Sequence, residues 1–237
     1  LDSSPDRWGR LLMKKRETAQ ARSEERTPRT LRESDYLLGV YDGHRMGALR
    51  FKEDPKGPFL NDNKEFTSPP WTSIGELEQI SLKLKDDEVI DNPDYIKWLM
   101  MLVNPGSSLG GARPKAGVLD KERRLWIAKF PSRNDNKDVG GWEMVVHDLA
   151  KSAGINIAES KIQKFSSKYH TYLTKRFDRT SSGERIHYAS AMTMLGYNDG
   201  DNYQQGASYL EIADFLTNNG AYVDRDLEEL WRRIVFT

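Results

Sequence analysis

"SSLGGARPKAGVLDKERRLWIAKF", residues 107–130, contains the clearest strand signals in the chain. It opens with two serines and two adjacent glycines, and it continues into two apolar runs, at 116–119 and 124–130, on either side of a charged turn. Short apolar runs bounded by turn residues are typical of β-strands. A third strand-like segment lies at 161–178. The middle of the chain therefore predicts a small sheet.

The loop that opens this stretch has the composition of a phosphate-binding loop. Glycines let backbone N–H groups converge on a phosphate because they lack a Cβ atom and tolerate positive φ. The loop matches neither G-x-x-x-x-G-K-[ST] nor G-x-G-x-x-G, and an ordinary turn after Pro105 explains the same residues. The residues that could form a phosphate nest are Ser107, Ser108, Leu109, Gly110 and Gly111.

Lys129 is a charged residue at the end of an apolar run. Its ammonium group must reach water or meet an anion, because an unpaired buried charge is unfavourable. A lysine on an edge strand that reaches solvent is one interpretation, and a contact with a nucleotide phosphate is the other. Glu143 opens the next helical pattern and could pair with Lys129, as in kinases. Acids are common in the first turn of helices for dipole reasons alone, and the spacing by itself favours this simpler explanation.

Helical patterns lie on both sides of the predicted sheet. The first is "SSPDRWGRLLMKKRE" at 3–17, with Ser4 as its candidate N-cap. Segments with apolar residues at helical spacing are 73–85, 91–103, 141–154, 208–220 and 226–236. Two of these open with a capping box, Ser73 with Glu76 and Ser208 with Glu211. Helices outside a strand-rich middle predict the α+β class.

Residues 35–51, "DYLLGVYDGHRMGALRF", show strand character instead. Two short apolar runs flank the dipeptide Asp42-Gly43. Because this dipeptide favours the positive φ of tight hairpin turns, the segment predicts a β-hairpin.

Composition excludes several classes of protein. Lysine plus arginine equals aspartate plus glutamate, 36 each in 237 residues, so no overall charge draws the chain to nucleic acid or to an anionic membrane. No run of about 18 apolar residues predicts a membrane span. The absence of cysteine excludes disulfides and thiolate metal sites, and it suits a reducing cytoplasm.

The chain resembles the HipA family, the serine/threonine kinases of bacterial toxin–antitoxin modules. The segments that carry the resemblance lie in family order and span nearly the whole chain. They are "SSPDRWGRLLM", "DYLLGVYDGHRMGALRF", "SSLGGARPKAGV", "WIAKFPS", "LTKRFDR", "RIHYASAMTMLG" and "DLEELWRRIVF". The resemblance implies a protein-kinase-like small lobe, with a mixed or antiparallel sheet and helices, followed by the first helices of an all-α C-lobe. The implied parts are an N-terminal subdomain at 1–104, incomplete at its start, the small lobe at 105–178 and the start of the C-lobe at 179–237.

The resemblance also implies a role for each candidate residue. The loop containing Ser108, Leu109, Gly110 and Gly111 would cover the phosphates of ATP, and Ser108 would be the autophosphorylation site, with Ser107 a less favoured neighbour. A phosphate on Ser108 adds roughly −2 charge, which would eject the loop and silence the kinase. Lys129 matches the strand lysine on the phosphates, and Glu143 matches the helix acid.

The segment "KRFDR" resembles the hinge between kinase lobes. Backbone groups near Lys175 and Phe177 would bond the adenine edge, and Asp178 would lie near the ribose. The residues taken alone favour a different interpretation, in which Phe177 belongs to the core and Asp178 pairs with Arg176 or Arg179.

The family continues beyond the position of Thr237 into a catalytic loop with its aspartate and asparagine, and into a later metal-binding aspartate. The first residue here is Leu1, so the chain has the look of a fragment. We therefore expect no catalytic residue and no Mg²⁺ ligand within it, and we expect it to be inactive alone. The full-length protein would use ATP and Mg²⁺.

The resemblance implies partners as well. These are a DNA-binding antitoxin of the HipB type, through which any contact with DNA would be indirect, and a protein substrate such as an aminoacyl-tRNA synthetase or another translation protein. No membrane contact is expected. The alternative is a non-catalytic, kinase-like scaffold that binds an antitoxin or transcriptional repressor.

Overall fold

The computed structural model describes residues 2–62, 69–84, 92, 94–106 and 112–237, without the side chains of 103–106. The helices are α1 (Arg7–Ser23), α2 (Glu33–Leu38), α3 (Ile74–Lys83), α4 (Tyr95–Gly106), α5 (Val139–Ser152), α6 (Ala191–Met194), α7 (Tyr209–Asn219) and α8 (Val223–Phe236). The strands are β1 (Lys115–Leu119), β2 (Leu125–Lys129), β3 (Ser160–Gln163) and β4 (Thr171–Lys175). Helices with one antiparallel sheet are the α+β class that the sequence predicts. Over these described ranges, no helix combines the length and apolar character that a membrane crossing requires.

The four strands form one antiparallel sheet in the order β1-β2-β4-β3. The strands predicted at 116–119 and 124–130 are confirmed as β1 and β2, and the segment predicted at 161–178 divides into β3 and β4. Because β2 has a neighbouring strand on each side, Lys129 lies on an inner strand. The interpretation of Lys129 as an edge-strand residue is therefore wrong.

One face of the sheet forms the core. Side chains alternate between the two faces of a strand, and the buried ones that share the core are Ala116, Val118, Trp126, Ala128 and Leu173. They join buried side chains of α1, α3 and α4. The Trp126 ring meets the Trp71 ring edge to face, with centroids 5.5 Å apart. Burial of each large apolar side chain contributes about 1.5–3 kcal/mol, so this face fixes the register of the sheet.

The chain divides into two compact units. One consists of Ser3–Met144 and Ala158–Tyr188, and it contains the whole sheet. The other consists of Asp2, Val145–Ile157 and Ala189–Thr237, and within it α7 packs against α8. The division at 104 and 178 that the resemblance implies stays a prediction.

Residues 35–51 form no strand, so the predicted hairpin is wrong. Their first residues belong to α2, and a single 3-10 turn follows at Asp42. The Asp35 carboxylate accepts a hydrogen bond from the Arg32 N–H at 2.8 Å, which stabilises the start of a helix. The guanidinium group of Arg45 donates to backbone carbonyls of α2 and of the residue after Gly39. These contacts hold the segment in a compact turn, and its backbone does not form the hydrogen bonds of a strand pair.

Side-chain capping agrees with the sequence at one helix and differs at two. The capping box of Ser208 and Glu211 at α7 is confirmed. At α1 the cap is Asp6, whose carboxylate accepts from the Gly9 N–H at 2.7 Å, so the prediction of Ser4 is wrong. At α3 the Ser73 side chain makes no capping bond, because the preceding 3-10 turn holds Ser73 in a helical conformation.

Candidate functional site

Lys129 of β2 and Glu143 of α5 form an ion pair. The Lys129 Nζ atom lies 2.6 Å from a carboxylate oxygen of Glu143, and the two side chains are 34% and 27% exposed. The ammonium group also lies 5.2 Å from the centre of the Tyr172 ring, which is its cross-strand neighbour. The lysine is therefore held in one direction while part of it stays open to solvent.

The start of α5, the helix that carries Glu143, is fastened to the start of β4. An Asp138 carboxylate oxygen accepts from the Gly141 N–H and the His170 N–H, each at 3.0 Å, and the second oxygen contacts the His170 ring. Burial opposes ionisation of Asp138, but the bonds from His170 and Gly141 outweigh it and lower its pKa. At Gly140 a Cβ atom would overlap the His170 carbonyl group. This close approach places Glu143 beside Lys129.

A second lysine, Lys115, lies opposite Lys129 on β1. Its side chain is 2% exposed, and its Nζ atom lies 2.7 Å from the Asp6 carboxylate. Burial raises the pKa of Asp6 and lowers the pKa of Lys115. The Trp8 ring nitrogen donates to the Lys115 carbonyl at 3.1 Å. The start of β1 is thus attached to the start of α1.

The predicted hinge follows β4. The Lys175 N–H donates to the Glu159 carbonyl at 2.8 Å. Within the described ranges, the Lys175 carbonyl and the Phe177 N–H have no hydrogen-bond partner. The Phe177 side chain is 57% exposed and touches the Tyr188 ring edge to face, so the interpretation of Phe177 as a core residue is wrong.

Asp178 is buried at 1% exposure. Its carboxylate contacts the guanidinium groups of Arg176 and Arg179 at 2.5 and 2.7 Å and accepts from the Gly47 N–H at 2.8 Å. Burial works against ionisation, yet the two arginines lower the pKa of Asp178 overall. The arginine pairing that the residues alone predict is present, whereas contact with a ribose stays a prediction.

The register of the sheet separates Lys129 from the hinge along one strand pair. Lys129 lies opposite Tyr172, and Trp126 lies opposite Lys175. Three residues of strand span about 10 Å, so the partly exposed ammonium group of Lys129 and the unpaired backbone groups of Lys175 and Phe177 lie at opposite ends of the strand pair. All of these residues belong to the same compact unit.

The remaining predicted residues, Ser107, Ser108, Leu109, Gly110 and Gly111, lie outside the described residues. The sequence did not single out Asp6, Asp138, Gly140 or His170. For Asp138 a signal existed, since aspartate is a preferred N-cap residue and lies shortly before the helical pattern at 141–154. For Asp6, no local signal pointed to a lysine 109 residues away.

One comparison with known proteins gives a match. The family model described as HipA-like C-terminal domain matches residues 107–237, which is more than half of the chain. This range contains the glycine loop, the sheet, the Lys129–Glu143 pair and the hinge segment. Neither the curated proteins nor the solved structures include a significant match.

Proposed function

Since the chain belongs to the family of the HipA-like C-terminal domain, we propose that it binds ATP and forms the nucleotide-binding part of a HipA-like serine/threonine protein kinase. The observation that carries the proposal is the ion pair that Lys129, on the inner strand β2, forms with Glu143 of α5. In kinases a strand lysine held by a helix glutamate contacts the nucleotide phosphates.

The phosphate end of the site has hydrogen-bond donors to spare. An ammonium group has three N–H donors, and Glu143 is the one carboxylate within bonding distance of Lys129 among the described residues. With a third of its side chain exposed, the lysine can turn the other donors towards phosphate oxygens. The glycine loop at 107–111 would supply backbone donors from the chain before β1.

The adenine end requires one acceptor and one donor in line. The Lys175 carbonyl and the Phe177 N–H are two residues apart where the chain leaves β4, and neither has a partner in the described part of the chain. Adenine presents its amino group and a ring nitrogen on one edge, so the two patterns match. Between the hinge and Lys129 lie the half-buried side chains of Ile127 and Thr174, which face the same side of the sheet.

Phosphoryl transfer depends on positioning and charge neutralisation rather than on covalent catalysis by the protein. Mg²⁺ supplies charge neutralisation on the phosphates in such kinases. In the ranges that the structure covers, no group of three or more His, Asp or Glu side chains is arranged to hold a metal ion. The role proposed for these residues is to bind and orient ATP.

The wider assignment follows from the family. We propose Ser108 as the autophosphorylated residue, a translation protein such as an aminoacyl-tRNA synthetase as the substrate, a HipB-type antitoxin as the partner, and the cytoplasm as the location. In the natural gene product incubated with radiolabelled ATP, Ser108→Ala should abolish incorporation of phosphate, whereas Ser107→Ala should retain it. Labelling that survives Ser108→Ala would reject the assignment of this serine.

Nucleotide binding is tested directly by titration with a fluorescent ATP analogue. A hydrogen bond to a charged group contributes about 1.5–3 kcal/mol, so Lys129→Ala should weaken binding by roughly 10- to 100-fold. Lys164→Ala, which removes an exposed lysine of the same unit, should leave affinity unchanged. Circular dichroism checks that both variants fold. If the wild-type chain binds no ATP, the non-catalytic scaffold for an antitoxin or repressor replaces the kinase proposal.

A further inference from the structure

We infer that Asp178 is a positioning residue, which holds the hinge backbone for adenine through a buried clamp to residues 43–47. The hinge clamp consists of Arg176, Asp178 and Arg179 together with the backbone of 43–47. This inference rests on the nucleotide-binding function proposed above. In this role Asp178 does not contact the ribose.

The carboxylate is the centre of the clamp. One oxygen of Asp178 accepts from Arg176 Nε at 2.7 Å. The other accepts from Arg176 Nη2 at 2.5 Å, from Arg179 Nη1 at 2.7 Å and from the Gly47 N–H at 2.8 Å. Gly47 has φ +71°, a left-handed conformation that glycine adopts most readily. The backbone at 47 thus turns its N–H to a carboxylate 131 residues away.

Both arginines bind the Asp178 carboxylate and also donate hydrogen bonds to backbone carbonyls. Arg176 donates to the His44 carbonyl at 2.7 Å and to the Arg45 carbonyl at 3.3 Å. Arg179 donates to the Arg45 carbonyl at 3.0 Å and to the Gly43 carbonyl at 3.3 Å. Because a guanidinium group is a rigid planar fork of donors, each arginine fixes the distance between Asp178 and the 43–47 segment.

Burial strengthens this arrangement. The side chains of Arg176, Asp178 and Arg179 are 0%, 1% and 7% exposed. Hydrogen bonds between charged groups in such an interior are short and directional. Removal of one partner leaves the others buried without compensation, so the clamp holds as a unit.

The clamp fixes Phe177 through its two neighbours. The Arg176 N–H donates to the Leu125 carbonyl at 3.0 Å, and the Asp178 carbonyl accepts from the Ile186 N–H at 3.0 Å. The residue between them has no backbone bond within the described ranges, yet its backbone has little freedom, since both flanking side chains are locked. The Phe177 N–H is therefore presented in a constant direction without a bond of its own.

The same contacts argue against a ribose contact. The Asp178 carboxylate already receives four donors and is 1% exposed. A ribose hydroxyl would have to displace an arginine or the Gly47 N–H. The geometry assigns to Asp178 the orientation of the hinge, and it leaves the nucleotide contacts to the backbone.

The test compares Asp178→Asn with Glu184→Gln, an exposed acid beyond the hinge that serves as the matched control. Hydrogen exchange of the peptide covering 175–179, measured without nucleotide, should be faster in Asp178→Asn and unchanged in the control. ATP affinity should fall by roughly 10-fold, the effect of losing one hinge hydrogen bond. Unchanged exchange together with unchanged affinity would overturn the inference.

Deoxy-ATP separates positioning from ribose contact. The affinity for ATP is divided by the affinity for 2′-deoxy-ATP, and separately by the affinity for 3′-deoxy-ATP. If Asp178 acts through the backbone, each ratio is the same in wild type and Asp178→Asn. If either ratio falls towards one in the variant alone, Asp178 touches the sugar and the inference is wrong.

A second variant covers loss of folding. If Asp178→Asn does not fold, Arg179→Lys, which keeps the charge and loses the fork, decides by the same measurements. A wild-type chain that binds no ATP would refute the proposed function, whereas hydrogen exchange would still show whether the clamp orders the hinge.

Discussion

Gly140→Ala tests whether the close approach of α5 to β4 sets the Lys129–Glu143 pair. The added Cβ atom would overlap the His170 carbonyl oxygen and lie 3.0 Å from the carbonyl carbon and 3.3 Å from the Tyr172 nitrogen. To reach an ordinary separation of about 3.5 Å, the first turn of α5 must move by about 1 Å. The obstacle is backbone at the start of β4, which cannot rotate away as a flexible side chain can.

The magnitude follows from two opposing effects. Overpacking a filled site costs about 1–3 kcal/mol, and replacing glycine by alanine in a helix returns at most about 1 kcal/mol. The free energy of unfolding should therefore fall by roughly 1–2 kcal/mol, which in a chain of this size lowers Tm by about 2–8 °C. Thermal and urea denaturation followed by circular dichroism measure both quantities.

Gly75→Ala is the matched control, since Gly75 is also the second residue of its helix. There the added Cβ atom would meet only the Phe165 side chain, at 3.5–3.9 Å, which is ordinary contact. This substitution should raise the free energy of unfolding by up to about 1 kcal/mol. Opposite signs for the two glycines are the expected result. A Gly140→Ala variant as stable as wild type would refute the reasoning about α5.

Two further predictions concern buried and networked charges. Asp6→Ala should lower the free energy of unfolding by about 3–5 kcal/mol, because it leaves Lys115 buried without its carboxylate and removes the N-cap of α1. Urea denaturation checks this, and a double variant with Lys115→Met should recover the loss except for the share of the cap. Hydrogen bonds from Arg26 and the Arg29 N–H lower the pKa of Glu17 from 4.5 to about 2. The resulting stabilisation is complete above pH 4.5 and is lost as the pH falls towards 2, so Glu17→Gln should flatten the acid limb of stability against pH; an unaltered limb would contradict the assignment.

The sequence predicted those elements whose signals are local. The strands at 116–119 and 124–130 were found because apolar runs end at turns, and the capping box of Ser208 and Glu211 was found because its bonds join residues three apart. The interpretation of Asp42-Gly43 as a hairpin turn failed, although the dipeptide is a good turn former. A turn signal states where the chain bends, and it does not state whether two strands pair on either side of the bend.

The candidate site shows the same limit. Lys129 and Glu143 were both recognised, but their spacing could not distinguish an ion pair from an acid that merely favours a helix start. Asp138 and His170, 32 residues apart, bring the two charges together. That contact depends on how α5 packs on β4, and periodicity carries no information about packing.

Local patterns in the sequence predicted the α+β class and the strand that carries Lys129, and the resemblance to the HipA family agrees with the family match. The packed chain was needed to show that β2 is an inner strand, that Asp6 pairs with Lys115, and that Asp178 is held by residues 43–47. The physical reason is that local hydrogen bonds and side-chain periodicity select helices and strands. Buried charges instead take their partners from wherever the packed chain brings an opposite charge or a backbone carbonyl within reach.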